Sequence, residues 1–218
     1  MPVRSLEPLD NLSVDPVVAV AVQRVNPSQN HCGLLFREAG GDARLAHLAW
    51  HCDFRHEAAT TTYTYARVDL HPLRSPAVAG WCAKVARANT NNIIPYGFSY
   101  PTACFDRKTG AWLLGQDGLG LTCATFVLAV LSSAGVNLVD VDRWDSRTED
   151  EDWRQKIIDA LGHRHAERAS YLNAHREALR YRPEEVAGAA LHALADYPVE
   201  MAKAVDAGER VNEQLSAG

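Results

Sequence analysis

Cys123 stands where a thiol can do chemistry. It opens the stretch "LTCATFVLAVLSSAG", and Phe126, Val127, Val130, Leu131 and Ala134 follow it at helical spacing. Together these positions form one apolar helical stripe, with Cys123 at its N-terminal edge. Two readings are open. Cysteine is among the most buried residue types, so Cys123 can simply fill core. A cysteine in a first helical turn also meets unpaired backbone N–H groups and the positive end of the helix dipole. Both favour thiolate over thiol, and the same N–H groups can hold an oxyanion when the thiolate attacks a carbonyl. Gly118 and Gly120 lie just before it, where backbone must pass close to a substrate.

A thiolate nucleophile needs a base, most often histidine. The chain has nine histidines. His163, His165, His175 and His192 fall in polar, charged sequence and are expected in solvent. His71 precedes a proline at a strand end. His31, His47 and His51 lie in "HCGLLFREAGGDARLAHLAWH", which reads as a hairpin: two apolar runs around paired glycines that supply a tight turn. Strand alternation puts His47 and His51 on one face. Taken singly, each histidine reads as an edge residue bonded to backbone. Metal binding is the rival use of His31, Cys32, His47, His51, Cys52 and His56. Their spacing matches neither paired C-x-x-C nor H-E-x-x-H, and no metal or other cofactor is expected.

The elements that position these residues follow from local pattern. "PVVAVAVQ" (16–23) reads as a buried strand, and "TYTYARVDLHP" (62–72) as a third strand ended by Pro72. A helix is predicted over 75–90, with Ser75 as N-cap, Pro76 at the first helical position and Cys82 in its core face. A structured loop follows, and then the helix from about Thr122 to Ala134, stopped by Gly135. From Glu149 the chain is charged, alanine-rich and helical in period, with three helices expected, split near Pro183 and Pro198. Strands first and helices after argue for α+β. The expected organisation is a catalytic domain over 1–146 and a helical C-terminal extension over 147–218.

Composition narrows the partners. The net charge is −5 with histidine neutral, against a general nucleic-acid binder. With 47% hydrophobic and 22% charged residues the chain reads as an ordinary globular protein. The first 20 residues make a poor secretory signal, and no stretch is apolar enough to insert stably in a membrane. The expectation is a cytoplasmic protein, with export by a signal-less route left open. Five scattered cysteines argue against a disulfide framework.

"HCGLLF", "LAHL" and "TCATFV", in that order, resemble the circularly permuted NlpC-like branch of the papain superfamily. That branch includes the lecithin:retinol acyltransferase-like and YiiX-like proteins. The likeness covers roughly residues 17–136, and "IPYGF" (94–98) resembles a loop that often precedes the nucleophile helix. The 16-residue step from His31 to His47 is longer than usual for the family, and Thr122 stands where Asn is common. The resemblance implies an antiparallel sheet packed on the nucleophile helix. It implies Cys123 as nucleophile, His31 as general base, and His47 as the residue orienting His31, with His51 as runner-up. Tyr96 would line the site and Gln116 would be an oxyanion donor, although read from the residues alone the first is loop packing and the second a solvated loop position.

The expected activity is thiol-dependent cleavage of an amide or peptide bond through an acyl-enzyme, with a peptide, amide or acyl substrate. Two alternatives stand beside it. One is an acyltransferase or lipase acting on ester or thioester lipids. The other is a non-catalytic module that binds a protein partner through the cleft or the C-terminal helices.

Overall fold

The computed structural model describes residues 4–12 and 15–217. Six antiparallel strands form one sheet in the order β1-β6-β2-β3-β4-β5. They are β1 (Glu7–Pro8), β2 (Val17–Asn26), β3 (Gln29–Arg37), β4 (Arg44–Trp50), β5 (Asp53–Ala58) and β6 (Thr64–Arg67). The α+β class and the antiparallel sheet are as the sequence implies. β1 and β5 were not anticipated: β1 is two residues long, and "DFRHEA" of β5 carries little apolar alternation.

Six α-helices follow among the described residues: α1 (Ser75–Ala88), α2 (Cys123–Ser133), α3 (Glu149–Gly162), α4 (Ala166–Ala174), α5 (Pro183–Ala190) and α6 (Met201–Ala217). The segment after Glu149 therefore makes four helices where three were expected. The additional break falls at residues 163–165, where Gly162 weakens the helix end and no apolar stripe bridges the turn. Ser75 is not a cap. It is the first helical residue, and its hydroxyl donates to the Pro16 carbonyl at 2.9 Å, tying α1 to the start of β2.

The main core lies on one face of the sheet. Val18, Val20, Val22, Cys32, Leu34 and Phe36 pack there against apolar residues of α1, α2 and α5. Helix α2 is apolar almost all round, with every residue from Ala124 to Leu131 buried, as suits a helix enclosed by sheet and neighbouring helices. Trp81 of α1 locks it in place by donating Nε1–H to the Ser133 hydroxyl at 2.9 Å and the Val130 carbonyl at 3.2 Å. Helices α5 and α6 belong to this same core through Val186, Ala187, Ala204 and Val211. A smaller cluster on the opposite face contains Leu35, Leu45, Tyr63 and Tyr65. None of the helices among the described residues is long and apolar enough to cross a membrane.

A buried ionic cluster fixes α3 against the approach to α5. Asp150 is fully buried and accepts from Arg180 at 3.1 Å and Arg182 at 2.9 Å through Oδ1, and from Arg147 at 3.2 Å through Oδ2. Arg147 also pairs with Glu185. Burial by itself would raise the Asp150 carboxyl. The hydrogen bond from Arg182 and the charges of Arg147 and Arg180 outweigh it and hold the group below its ordinary value. Asp150→Ala leaves three guanidinium groups without their shared anion, and a loss of about 3–5 kcal/mol is expected. A urea melt of the variant beside the parent chain measures it.

Candidate active site

The N-terminus of α2 is built to present its first residue. Thr122 is extended and caps the helix, accepting from the Thr125 N–H while the Thr125 hydroxyl accepts from the Thr122 N–H. This reciprocal box satisfies two end groups and leaves the N–H groups of Cys123 and Ala124 without intrahelical partners. The backbone before the helix runs against the 95–97 loop through a parallel bridge between Tyr96 and Leu121. A Cβ on Gly120 would sit 2.3 Å from the Pro95 carbonyl oxygen. Gly120 is thus required by this close crossing of two chain segments rather than by the approach of a substrate.

His31 lies near the entry end of β3. Its Nε2 is 2.8 Å from Nδ1 of His47, and Nε2 of His47 is 3.3 Å from Glu57 Oε1. With Nε2 so engaged, Nδ1 is the nitrogen left to face Cys123. The network assigns the tautomers: Nε2–H of His31 donates to His47, and Nε2–H of His47 donates to Glu57. Tyr63 covers both imidazoles edge-on, at centroid distances of 6.4 and 6.3 Å. Gly33 makes the pairing of the two histidines possible, since a Cβ there would stand 2.8 Å from the Cβ of His47.

The electrostatics favour an ion pair. A hydrogen bond from the Cys32 thiol, followed by the charge and hydrogen bond of His31, lowers Cys123 well below an ordinary thiol against the opposing effect of burial. Cys32 is fully buried and is pushed well above the usual range, first by burial and then by the neighbouring Cys123, so it keeps its proton. Burial pulls His31 down, but the Cys123 thiolate outweighs it and the net shift is upward. His47 goes the other way, lowered by its burial and then by the charge of His31, and stays neutral. Tyr63 is raised to about 12 by burial and remains a phenol.

Cys123, His31 and His47 are thus brought together. Tyr96 is buried and lines the narrow cleft over Cys123, a cavity of about 40 Å³. His51 is not at this site. Strand β4 ends at Trp50 with an irregularity between Leu48 and Trp50, and His51 and Cys52 form the turn into β5, with Cys52 at φ 51°. Alternation counted from His47 therefore fails before it reaches His51, whose Nδ1 accepts the Tyr96 N–H at 3.2 Å. Gln116 is exposed and lines a separate cavity with His51, away from Cys123. Gln29 is the amide at the cleft, and its Nε2 has no hydrogen-bond partner among the described residues. His165 is not free in solvent but packs its ring edge-on against His51, centroid to centroid 4.6 Å. Among the described residues no group of three or more His, Cys, Asp or Glu is placed to hold a metal ion.

The sequence reading missed Glu57, Tyr63 and Cys32. Glu57 was within reach of it: once β5 is paired with β4, Arg55 stands opposite His47, and Glu57 is the diagonal neighbour on the same face. The Cys32 contact carried no such signal, because alternation turns Cys32 away from His31 and only the position of α2 brings both to Cys123.

Comparison with protein-family models, with curated proteins and with solved structures finds no match for this chain.

Iodoacetamide at neutral pH is expected to alkylate Cys123 at least about tenfold faster than Cys82 or Cys104, whose thiols burial raises. His31→Ala should narrow the difference, leaving the part that comes from Cys32 and from the burial of the other two thiols. Gly33→Ala should slow labelling of Cys123 by displacing His47, and mass spectrometry of the labelled peptides reads all three.

Proposed function

We propose that this chain is a cysteine hydrolase that cleaves an amide or peptide bond through an acyl-enzyme. The observation that carries this reading is the run of hydrogen bonds from His31 through His47 to Glu57, with His31 and Cys123 each favouring the charged form of the other. Each member has the protonation its neighbour needs: a thiolate, an imidazolium, a neutral imidazole and a carboxylate at the far end. A permuted papain-like core of the NlpC-like branch is the fold reading that accompanies it, supported by the chain order of His31, His47 and Cys123 and by the packing of α2 on β3 and β4.

The chemistry follows from the geometry. The Cys123 thiolate attacks the substrate carbonyl carbon. The oxyanion rests on the free N–H of Cys123, with Gln29 Nε2 as the second donor. His31 gives its Nδ1 proton to the leaving amine as the tetrahedral intermediate collapses to a thioester. His31, now neutral, takes a proton from water, and the resulting hydroxide attacks the thioester and restores the thiolate. His47 holds the His31 ring by accepting from Nε2–H, and Glu57 fixes the tautomer of His47 in turn.

The walls of the narrow cleft are aromatic and charged. Tyr96, Trp153 and Tyr181 supply aromatic surface, while Arg180 and Glu184 place one charge of each sign beside it. Arg180 stacks over Trp153 with its guanidinium carbon 4.1 Å from the ring centroid.

Turnover of a panel of fluorogenic peptide amides and esters tests the proposal. Cys123→Ala should abolish activity. His31→Ala should cost at least about 10³-fold in kcat, and His47→Ala about 10–100-fold with the chain still folded. No amide or ester turned over faster by the parent chain than by Cys123→Ala sinks the hydrolase reading.

The pH profile is a separate check. The thiolate must be ionised and His31 protonated, so kcat/KM should be bell-shaped. Its acid limb reports Cys123, below the ordinary thiol range, and its basic limb reports His31, above 6.5. Thiolate absorbance near 240 nm, titrated in parallel, should rise along the acid limb and not along the basic one.

A further inference from the structure

The wall of the cleft beside Cys123 carries hydrogen-bond donors that the folded chain leaves unused. Arg180 lines this cleft and is held in one orientation, stacked on Trp153 and donating from Nη1 to Asp150 at 3.1 Å. Its side chain is 16% exposed. Nε and Nη2 have no hydrogen-bond partner among the described residues, and both keep accessible surface. Asp150 is shared with Arg147 and Arg182, and each of these has a further carboxylate in Glu185 or Glu149. Among the described residues Arg180 has only its share of Asp150. It is the least neutralised arginine of the cluster, and the one at the cleft.

Tyr96 adds a second donor to the same wall. The residue is buried, yet its hydroxyl has no hydrogen-bond partner among the described residues and is not sealed from solvent. Burial holds the phenol well above its ordinary value, so it keeps its proton. The charge of Cys123 adds to that shift and the charge of Arg180 opposes it, which places the hydroxyl within reach of both fields. Glu184 is the carboxylate lining this cleft. Its Oε2 accepts from Asn30, and it makes no ion pair with Arg180 among the described residues. A cation and a phenol thus stand beside the thiol with no anion of the chain between them.

We propose that Arg180 and the Tyr96 hydroxyl bind a carboxylate of the substrate, so that the bond cleaved at Cys123 lies beside a free carboxyl terminus or an acidic side chain. This rests on the hydrolase reading and narrows it to an anionic substrate. Nε and Nη2 form the edge of a guanidinium that matches a carboxylate through two parallel N–H···O bonds. Stacking on Trp153 orients that edge beforehand, so little rotamer freedom is lost when the substrate arrives. The cleft is narrow, about 40 Å³, so a group bonded to Arg180 stands close to the carbonyl presented to Cys123.

Paired alkylation rates test this without any turnover. Iodoacetate carries a carboxylate and iodoacetamide is its neutral counterpart, so their rate ratio at Cys123 reads carboxylate recognition while thiolate reactivity cancels. Measured against glutathione, the full chain should favour iodoacetate by about tenfold or more. Arg180→Gln should remove most of that preference, and Tyr96→Phe should lower it about threefold. His31 stays in both variants, so its charge does not enter the comparison. Should Arg180→Gln not fold, Arg180→Lys keeps a charge beside Asp150 and should also lower the ratio about threefold, because it lacks the planar fork. Fluorogenic amides with a free carboxyl terminus or an acidic side chain next to the scissile bond, each set against its neutral amide counterpart, form the second arm. One of the two carboxylate placements should gain about tenfold in kcat/KM, and the one that gains identifies the source. An alkylation ratio unchanged in the Arg180 and Tyr96 variants overturns the proposal. Turnover with no preference for either carboxylate also overturns it and leaves the hydrolase reading standing. A ratio that depends on Arg180 with no amide or ester turned over sinks the hydrolase reading and leaves the carboxylate site in place.

Discussion

The 2.8 Å hydrogen bond between His31 Nε2 and His47 Nδ1 is the constraint on which the site depends. It decides which nitrogen of His31 faces Cys123, and so which proton can move. Two imidazoles at this distance cannot both be charged, and the structure separates their titrations. The thiolate keeps His31 protonated, while burial and the charge of His31 keep His47 neutral. The supporting features serve this bond. Gly33 removes the one Cβ that would push His47 away, Tyr63 closes over both rings, and Glu57 ends the run with an acceptor.

The C-terminal helices build the opposite wall of the cleft. Arg180 reaches it from a segment whose position is set by the charges around Asp150, and Glu184 reaches it from the first turn of α5. Folding of this region and shaping of the cleft are thus one event. Glu184 also hydrogen-bonds the side chain of Asn30, the residue before His31, at 2.9 Å. The two halves of the chain therefore meet at the proposed catalytic residues themselves.

Tyr96 links the two cavities. Its ring lines the cleft over Cys123, while its own N–H and carbonyl are held from the other side by His51 and Arg168. Burial, then the charges of His165 and Arg168, lowers His51 to about 4, so it stays a neutral acceptor for the Tyr96 N–H at ordinary pH. A single residue thus connects the second cavity with the wall of the cleft.

Local pattern was enough for much of this molecule. The helical stripe after Cys123, the glycine turn between the two histidine strands and the strand-then-helix order are short-range features. They delivered the α+β class and the histidine hairpin, while the grouping of Cys123 with His31 and His47 came from the family resemblance of "HCGLLF", "LAHL" and "TCATFV". Reading along the chain failed where a side chain's role depends on what packs against it. Alternation put His51 with His47 until one irregularity in β4 turned the chain, and Gln116 lay close to Cys123 in sequence but on another cavity in space. Glu57, Tyr63 and Cys32 acquire their places from strand register and from the docking of α2, and the cation of Arg168 from the burial of α4. Periodicity is written in neighbours a few residues apart. Register, burial and charge pairing are set by contacts between segments distant in sequence, and only the folded chain brings those together.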